Sequence, residues 1–360
     1  MKSGVVAYGA AVPYRRLDVR AILDVWGNSS LEVLERLQLN ERAVLFFDED
    51  TTTLAIEAAR NALQRGGVAG RDLGAVYLGT GTNAWASNPS ATVVAEALGA
   101  GPGLICCDLQ FSGKSGTSAM QALLGLTESG LVQRGIAIGS DTLNRHVAPG
   151  ELYEYTASAG AVAFVIGTED VAARVIGMHS HMSSLNDWFR AEGERFIRTS
   201  SSSIPDLLRI GLAEHIVPAV QALNGKLGLA PQDYAHAVFQ QPYGFVPFML
   251  GEALGLKPDQ VALGAVSRDI GDCGAASALL GLANVLDNAE PGDKVLLASY
   301  GFGAGSDAFA FEVTGHIARH RGNGRTVHDL LAHKEMVSYA TSIKFEHKFL
   351  KPDRPSGPWT

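Results

Sequence analysis

The sequence predicts an α/β protein built from two similar halves. Short runs rich in β-forming residues, such as GAVYLGT from residue 74, GLICCDL from residue 103 and GIAIGSD from residue 135, alternate with helical stretches such as TTTLAIEAARNALQR from residue 51. Strands that alternate with helices in this way predict a parallel or mixed sheet covered by helices.

The order of the first half recurs in the second. AVYLGT at residue 75 matches AVFQQP at 237, AEALG at 95 matches GEALG at 251, and ALLGL at 122 recurs at 278, so the spacing stays between 156 and 162 residues. Each half then closes with two more strands, GIAIGSD and AVAFVIG in the first, VLLASYG and AFAFEV in the second. We therefore expect an internal duplication with two sheets, its halves at residues 1–169 and 170–315, and a tail at 316–360.

Two such halves would share the helices between their sheets, and buried helices that pack closely need small apolar residues. GTSAMQALLGL from residue 116 and GAASALLGLANVL from residue 274 fit that requirement. The first of these helices directs its free N–H groups, the positive end of its dipole, toward the turn at Ser112, Gly113 and Lys114. This turn is the predicted functional site.

Composition excludes several classes of function. The chain has 360 residues, 46% hydrophobic and 18% charged, with a formal net charge of −8 and no run of Lys or Arg, so neither nucleic acid nor an acidic membrane is an expected partner. Cys106, Cys107 and Cys273 lack C-x-x-C spacing, which predicts neither a disulfide framework nor a zinc site and is compatible with a reducing cytoplasm. The apolar N-terminal run predicts a first strand rather than a signal peptide.

Three glycine motifs imitate nucleotide sites. GKS at 113–115 lacks the upstream glycine of a phosphate loop, since position 108 is Asp108, and GTGTNA at 79–84 has no acidic residue about 20 positions later. YGFGAGSD at 300–307 stands between two strands and predicts a hairpin that approaches the central site.

Two segments differ in composition from the rest. RTSSSSIPD at 198–206 predicts a surface loop. The tail after residue 315 is rich in His, Lys and Arg, and its stretch YATSIKFEHKFL places aromatic and apolar residues among basic ones. This stretch predicts either an interaction face or a segment that packs back on its own domain.

The duplicated halves, the turn before a small-residue helix, VFQQP and SYGFGAGSDAF together resemble the thiolase superfamily over residues 4–350, and within it the archaeal type of hydroxymethylglutaryl-CoA synthase. The resemblance implies a thiolase fold, with duplicated βαβαβαββ halves in a layered α-β-α-β-α arrangement. It also implies acyl transfer through a cysteine thioester.

The residues that the resemblance makes catalytic are absent here. Gly113 stands in place of the cysteine, Gln240 in place of the general-base histidine, Gly81 near the place of the glutamate and Asp272 in place of an asparagine. A glycine cannot be acylated, and an amide cannot accept a proton near neutral pH. We therefore expect no catalytic residue, only a residual pocket, which would be lined by Ser112, Lys114, Phe302 and Gly303.

FSGKSGTSAMQ, GDCGAASALLGLANVLDNAEPGDKVLLASYGFGAGSDAFA and YATSIKFEHKFL resemble more narrowly the cysteine-free, synthase-like subunit of bacterial acyltransferases that make diacetylphloroglucinol. This resemblance implies a non-catalytic structural subunit of a C-acyltransferase that moves acetyl groups between phloroglucinol rings. It implies a homodimeric core, a thiolase-like partner with the catalytic cysteine, and a small OB-fold zinc-ribbon partner. No cofactor is expected on this chain, and zinc only on the OB-fold partner. The predicted partner-binding residues are Tyr339, Ile343, Lys344, Phe345, Lys348 and Phe349.

Several alternatives stay open. The chain could be a self-sufficient condensing enzyme of the hydroxymethylglutaryl-CoA synthase or ketoacyl synthase type, or a module that binds acyl-CoA or a polyketide. Ser112 could act as a nucleophile beside the helix, although no histidine is evident to activate it. Cys273 opens a helix, but the neighbouring Asp272 opposes a thiolate there. His146 and His236 are the remaining conceivable bases in the two halves.

Overall fold

The computed structural model describes residues 1–199 and 207–349 and confirms the predicted α/β class. Nine strands form one large mixed sheet, and five short strands form two small sheets. The strands are β1 (Gly4–Ala11), β2 (Arg15–Asp18), β3 (Glu41–Val44), β4 (Ala75–Gly79), β5 (Ile105–Leu109), β6 (Arg134–Thr142), β7 (Ala159–Gly167), β8 (Ala173–Met182), β9 (Trp188–Phe189), β10 (Arg198–Thr199), β11 (His236–Phe239), β12 (Lys294–Gly301), β13 (Gly305–Val313) and β14 (Glu335–Met336).

Helices cover both faces of the large sheet. They are α1 (Arg20–Trp26), α2 (Leu31–Leu37), α3 (Thr51–Gly66), α4 (Ser90–Ala97), α5 (Ser115–Glu128), α6 (Glu214–Leu227), α7 (Val246–Ala253), α8 (Pro258–Ala262), α9 (Ser277–Asn288), α10 (Val327–Ala332) and α11 (Tyr339–Phe345). A π-helical segment, Leu207–Ala213, leads into α6. No helix among residues 1–199 and 207–349 is long and apolar enough to cross a membrane. The loop predicted at 198–206 lies mostly outside the described residues.

The duplication is visible in the strand order, β11-β12-β13-β8-β1-β7-β6-β4-β5. The first repeated sequence pair occupies β4 and β11, and each of these strands runs parallel to its neighbour, β6 or β12. The two predicted sheets are joined, because β1 pairs with β8 through Gly4↔Arg174 and Val5↔Ala173. The proposed domain boundaries fall between β7 and β8 and just after β13, and as boundaries they stay predictions.

The two small-residue helices, α5 and α9, lie buried in the core as predicted. A Cβ on Gly116 of α5 would lie 2.6 Å from Leu279 Cδ1 and 2.8 Å from the carbonyl oxygen of Ala275. Only glycine permits this approach, and it brings the start of α5 against the segment that leads into α9. The N-terminal ends of the two central helices therefore lie together, at the carboxyl ends of β4, β5 and β6.

Candidate functional site

The turn before α5 is closed on the hairpin between β12 and β13. The Phe302 N–H donates to the carbonyl oxygen of Ser112 at 2.8 Å. Gly113 has φ +89°, and a Cβ built on it would overlap the carbonyl oxygen of Tyr300. The backbone at residue 113 therefore suits glycine, both by its conformation and by its surroundings.

Lys114 is held by a buried ion pair. Its Nζ lies 2.8 Å from Asp307 Oδ2 and 2.9 Å from Ser118 Oγ. Asp307 also accepts from Thr117 Oγ1 and from Ser180 Oγ, each at 2.8 Å. The ammonium charge is thus matched inside a satisfied network, so Lys114 anchors the turn to β13.

A second buried carboxylate, Asp141 at the end of β6, organises the loop after β4. It accepts from Thr80 Oγ1, the Gly81 N–H, Thr82 Oγ1 and the Ala275 N–H at 2.7–2.8 Å. Burial raises the pKa of this carboxyl, while its four donors oppose the rise. Asp141 therefore joins the first half of the site to the segment before α9.

Gly81 and Ser112 touch across this loop. A Cβ on Gly81 would overlap Ser112 Oγ. The structure therefore brings together two of the residues that the sequence singles out, with the serine hydroxyl against the glycine backbone.

Asp272 and Gln240 meet in the second half, together with a tyrosine that sequence reasoning missed. The Tyr153 hydroxyl donates to Asp272 Oδ2 at 2.7 Å, and the Gly274 N–H donates to Asp272 Oδ1 at 2.9 Å. Gln240 Nε2 donates to the carbonyl oxygen of Gly274 at 3.1 Å. Gln240 Oε1 is buried without a partner among the described residues.

Burial is the main influence on the pKa values of Asp272 and Tyr153. It raises the pKa of Asp272, and Asp141 raises it further, while the Tyr153 hydroxyl opposes the rise. Burial and the neighbouring Asp272 also raise the pKa of Tyr153 well above its usual value. Tyr153 therefore keeps its proton at neutral pH and donates it in the hydrogen bond to Asp272.

Phe302 and Gly303 lie beside the turn, as the predicted residual pocket requires. Phe302 is itself buried and stacks on Trp188, with 5.0 Å between ring centroids, and the Gly303 N–H donates to Asp187 Oδ1 at 3.0 Å. The structure thus assembles all four predicted pocket residues around the hairpin. Their role as a ligand pocket stays a prediction.

Cys273 and Cys106 do not offer a thiolate. Burial, with a further contribution from Asp272, raises the pKa of Cys273 to about 12, and burial raises the pKa of Cys106 to about 11. Both groups are thiols at neutral pH. Among the described residues, no group of three or more His, Cys, Asp or Glu could hold a metal ion; the expectation of a chain without a cofactor stays a prediction.

The two remaining candidate bases lie in other surroundings. His146 Nδ1 is 3.4 Å from the carbonyl oxygen of Arg195, and burial together with Arg190 lowers the pKa of His146 to about 4. His236 is the first residue of β11, whereas Gln240 follows the last residue of that strand. Burial lowers the pKa of His236, although Asp293 lies 3.6 Å from its ring and opposes the shift. Neither histidine belongs to the group around Gln240 and Asp272.

Two of the tail residues predicted to bind a partner, Ile343 and Lys348, have side chains that are buried in their own chain, so they do not present a surface to a partner. That the tail binds a partner stays a prediction. Ile343 is 6% exposed. Lys348 Nζ lies 3.2 Å from Glu154 Oε1 and 2.9 Å from Glu346 Oε2, and Glu346 also pairs with the buried Arg42. This buried ion cluster fastens α11 to the first half.

Two further tail residues also pack inward. The Tyr339 hydroxyl accepts from Trp26 Nε1 at 2.7 Å, and the Phe345 ring meets the Phe46 ring edge-on at 4.9 Å. Of the six predicted residues, Lys344 and Phe349 have exposed side chains. They are the two that stay available to a partner.

The chain is similar over nearly its whole length to archaeal hydroxymethylglutaryl-CoA synthases. That of Methanocaldococcus jannaschii is 40% identical over 348 residues, covering 96% of this chain and 99% of the relative. That of Methanopyrus kandleri is 39% identical over 347 residues, covering 96% and 97%. No protein-family model matches the chain.

Solved structures share the fold at low identity. A structure of HMG-CoA synthase complexed with CoA superposes with a TM-score of 0.84 at 18% identity, covering 96% of this chain and 90% of the other. The structure of MvaS in complex with 3-hydroxy-3-methylglutaryl coenzyme A superposes with a TM-score of 0.84 at 21% identity, covering 99% of this chain and 94% of the other. The 3-oxoacyl-[acyl-carrier-protein] synthase III of Aquifex aeolicus superposes with a TM-score of 0.79 at 19% identity, covering 86% of this chain and 99% of the other. These likenesses confirm the thiolase-like fold.

These findings contradict the expected function. The sequence predicts a non-catalytic subunit of a phloroglucinol C-acyltransferase, whereas relatives about 40% identical from end to end are named synthases. The alternative of an acyl-condensing enzyme is better supported, and the prediction of a structural subunit is wrong. The chain belongs to the hydroxymethylglutaryl-CoA synthase family.

Proposed function

We propose that this chain is an acyl-condensing enzyme of the hydroxymethylglutaryl-CoA synthase type, which joins two acyl thioesters through a new carbon–carbon bond. One observation carries the proposal: the 40% identity to the Methanocaldococcus jannaschii synthase extends over 96% of this chain and 99% of that enzyme. Similarity of this extent leaves no large part of the synthase without a counterpart here.

The geometry offers two features that suit such a reaction. Helix α5 has 14 residues, and its N-terminus lies at the turn of residues 112–114, where its N–H groups favour the oxygen of a polarised acyl carbonyl. Tyr153 holds its proton beside Asp272 and is our candidate for the group that donates a hydrogen bond to the developing alkoxide, for which its hydroxyl would turn from Asp272. Residue 113 is glycine, so the proposal routes no acyl group through it.

The test uses the full chain with acetyl-CoA and acetoacetyl-CoA. The proposal predicts that condensation, with hydrolysis of one thioester by water, releases free CoA together with hydroxymethylglutaryl-CoA. A thiol reagent follows the CoA, and mass spectrometry identifies the product. Tyr153→Phe should lower kcat/KM by about 100-fold or more, the usual cost of removing one donor to a developing oxyanion. Tyr155→Phe is the matched control, because its hydroxyl binds Asn28 instead. CoA release no faster than without protein would contradict the proposal.

A second function, binding of acyl-CoA without condensation, is favoured by one specific observation: Gly113 has no side chain and no space for one. Isothermal titration with acetyl-CoA separates the two functions. Binding with no product in the assay above would support the binding module, and product formation would exclude it.

We further propose a homodimer and a cytoplasmic location. The thiolase-like and OB-fold zinc-ribbon partners also stay proposals, and they would have to use surfaces other than the buried tail cluster. The exposed Lys344 and Phe349 are the tail residues that support such a contact. Co-purification of Phe349→Asp and wild-type chains with candidate partners would test it.

A further inference from the structure

Ser183 and His215 form a hydrogen-bonded pair outside the group of residues considered above. Ser183 Oγ lies 2.7 Å from His215 Nε2, and His215 Nδ1 lies 2.6 Å from the carbonyl oxygen of Gly211. A carbonyl only accepts, so Nδ1 carries the hydrogen. In the neutral ring Nε2 is then the acceptor, and the Ser183 hydroxyl donates to it.

The His215 ring is packed inside the protein, whereas Ser183 lies at the surface. His215 is 5% exposed, and its ring lies 5.6 Å from the Tyr300 ring and 5.7 Å from the His181 ring, between centroids. Ser183 is exposed. A serine within hydrogen-bond reach of a histidine that is itself oriented by a third group has the arrangement of an activated nucleophile.

Ser183 and the turn before α5 both contact the hairpin between β12 and β13. The Ser183 N–H donates to the carbonyl oxygen of Ala304 at 3.2 Å, and the Phe302 N–H donates to that of Ser112 at 2.8 Å. Residues 302–304 therefore separate the Ser183 backbone from the helix N-terminus. The serine–histidine pair and the turn before α5 are therefore linked through one short hairpin segment.

We propose that Ser183 accepts an acyl group from an acyl thioester, with His215 as its base. Ser183 Oγ bonds to the carbonyl carbon as its proton passes to His215 Nε2, the carbon–sulfur bond breaks, and the proton moves to the leaving thiolate. The products are an acyl ester on Ser183 and a free thiol. The choice of a thioester as donor rests on the proposed function, whereas the serine–histidine pair stands on geometry alone.

The test compares two donors by peptide mass spectrometry. p-Nitrophenyl acetate probes the pair without needing a CoA site, and acetyl-CoA probes the thioester donor. We expect one acetyl group per chain, on Ser183, from each. Ser183→Ala should abolish this label, and His215→Gln should slow its formation by about 100-fold or more. Ser184→Ala, an exposed neighbouring serine, is the matched control and should label as the wild type does.

The possible outcomes test separately the assignment of Ser183, the thioester donor and the role of Ser183 in condensation. An acetyl group on another residue, or unchanged labelling of Ser183→Ala, overturns the assignment of Ser183. Labelling of Ser183 by p-nitrophenyl acetate alone keeps the pair and overturns the thioester donor. Full condensing activity in Ser183→Ala would leave the proposed function intact and remove Ser183 from it. A thermal melt of His215→Gln separates a lost base from a lost fold.

Discussion

At the scale of single residues, Gly113 shows how backbone and neighbours together restrict what the site can present. Its φ of +89° lies in the region that L side chains avoid, and the carbonyl oxygen of Tyr300 fills the place of a Cβ. A thiol introduced at this position would require the turn to move. Chemistry at this turn therefore depends on the neighbours of residue 113.

We expect Gly113→Ala to lower the free energy of unfolding by about 2–5 kcal/mol, because left-handed backbone costs an alanine about 1–2 kcal/mol and overlap in a packed site about 1–3 kcal/mol. Gly292 is the control, since it has φ +98° with no neighbouring atom within 4 Å of a Cβ. Gly292→Ala should show only the backbone cost. Urea unfolding of both variants measures the difference, and equal losses would mean that Tyr300 does not restrict residue 113.

His146 makes stability depend on pH. Burial lowers its pKa to about 4 from an ordinary value near 6.5. Between these values the unfolded chain binds a proton at this residue and the folded chain does not, so stability is fully present above pH 6.5 and falls as the pH drops toward 4. The shift corresponds to at most about 3 kcal/mol.

His146→Gln should therefore lose less stability between pH 7 and pH 4.5 than the wild type, as measured by urea unfolding at both values. Some loss remains, since burial also lowers the pKa of His236 and of His320. His328→Gln, at an exposed position of α10, is the control for the substitution itself. An unchanged slope in His146→Gln would show that this ring is protonated in the folded chain.

At the scale of elements, the tail helix α11 is fastened by charges rather than by a wide apolar face. Glu346 lies between Arg42 and Lys348, and each of these side chains is fully buried. Glu346→Ala would leave two buried cations without this partner, so we expect a loss of about 3–5 kcal/mol in urea unfolding. Glu335→Ala, which removes an exposed carboxylate 3.8 Å from Arg15, should cost at most about 1 kcal/mol. Similar losses in both variants would contradict a buried cluster.

The central elements and the tail differ in how well the sequence could predict them. Repeats at constant spacing located β4, β11, α5 and α9 because a duplication leaves its pattern in consecutive residues. The tail gave no such pattern, since Arg42 and Glu346 are 304 positions apart and a run of Lys and Glu is typical of a solvated helix. A buried ion cluster has no local signature.

In the candidate site, too, some residues could be located from the sequence and others only from the structure. Family phrases located Gly113, Gln240 and Asp272, each within a short motif. Tyr153 bonds to Asp272 across 119 positions and Ser183 to His215 across 32, so neither pair can be read from spacing. The loop segment ELYEYT, with aromatic and acidic residues beside a buried strand, was the one available hint of Tyr153.

At the scale of the whole molecule, the two edges of the large sheet differ. The edge strand β11 is covered, with Ala237, Val238 and Phe239 fully buried, whereas every residue of the opposite edge, β5, is half-buried. β5 reads ICCDL and carries neither the Lys nor the Pro that commonly protects an edge. An unprotected apolar edge predicts pairing with a second copy of the chain.

The outward-facing groups of β5 follow from its pairing. The Ile105 N–H donates to Gly74 and the Leu109 carbonyl accepts from Thr80, both on the side of β4, so alternation turns the Cys106 N–H away from the sheet. Cys106→Pro removes that outward donor without breaking a bond to β4, and proline is tolerated where a strand N–H faces outward. We expect sedimentation equilibrium to give a dimer for the wild type and for Cys106→Ala, which keeps the donor, and a monomer for Cys106→Pro. A wild-type monomer, or a proline variant that dimerises as tightly as the wild type, would place the contact between copies elsewhere.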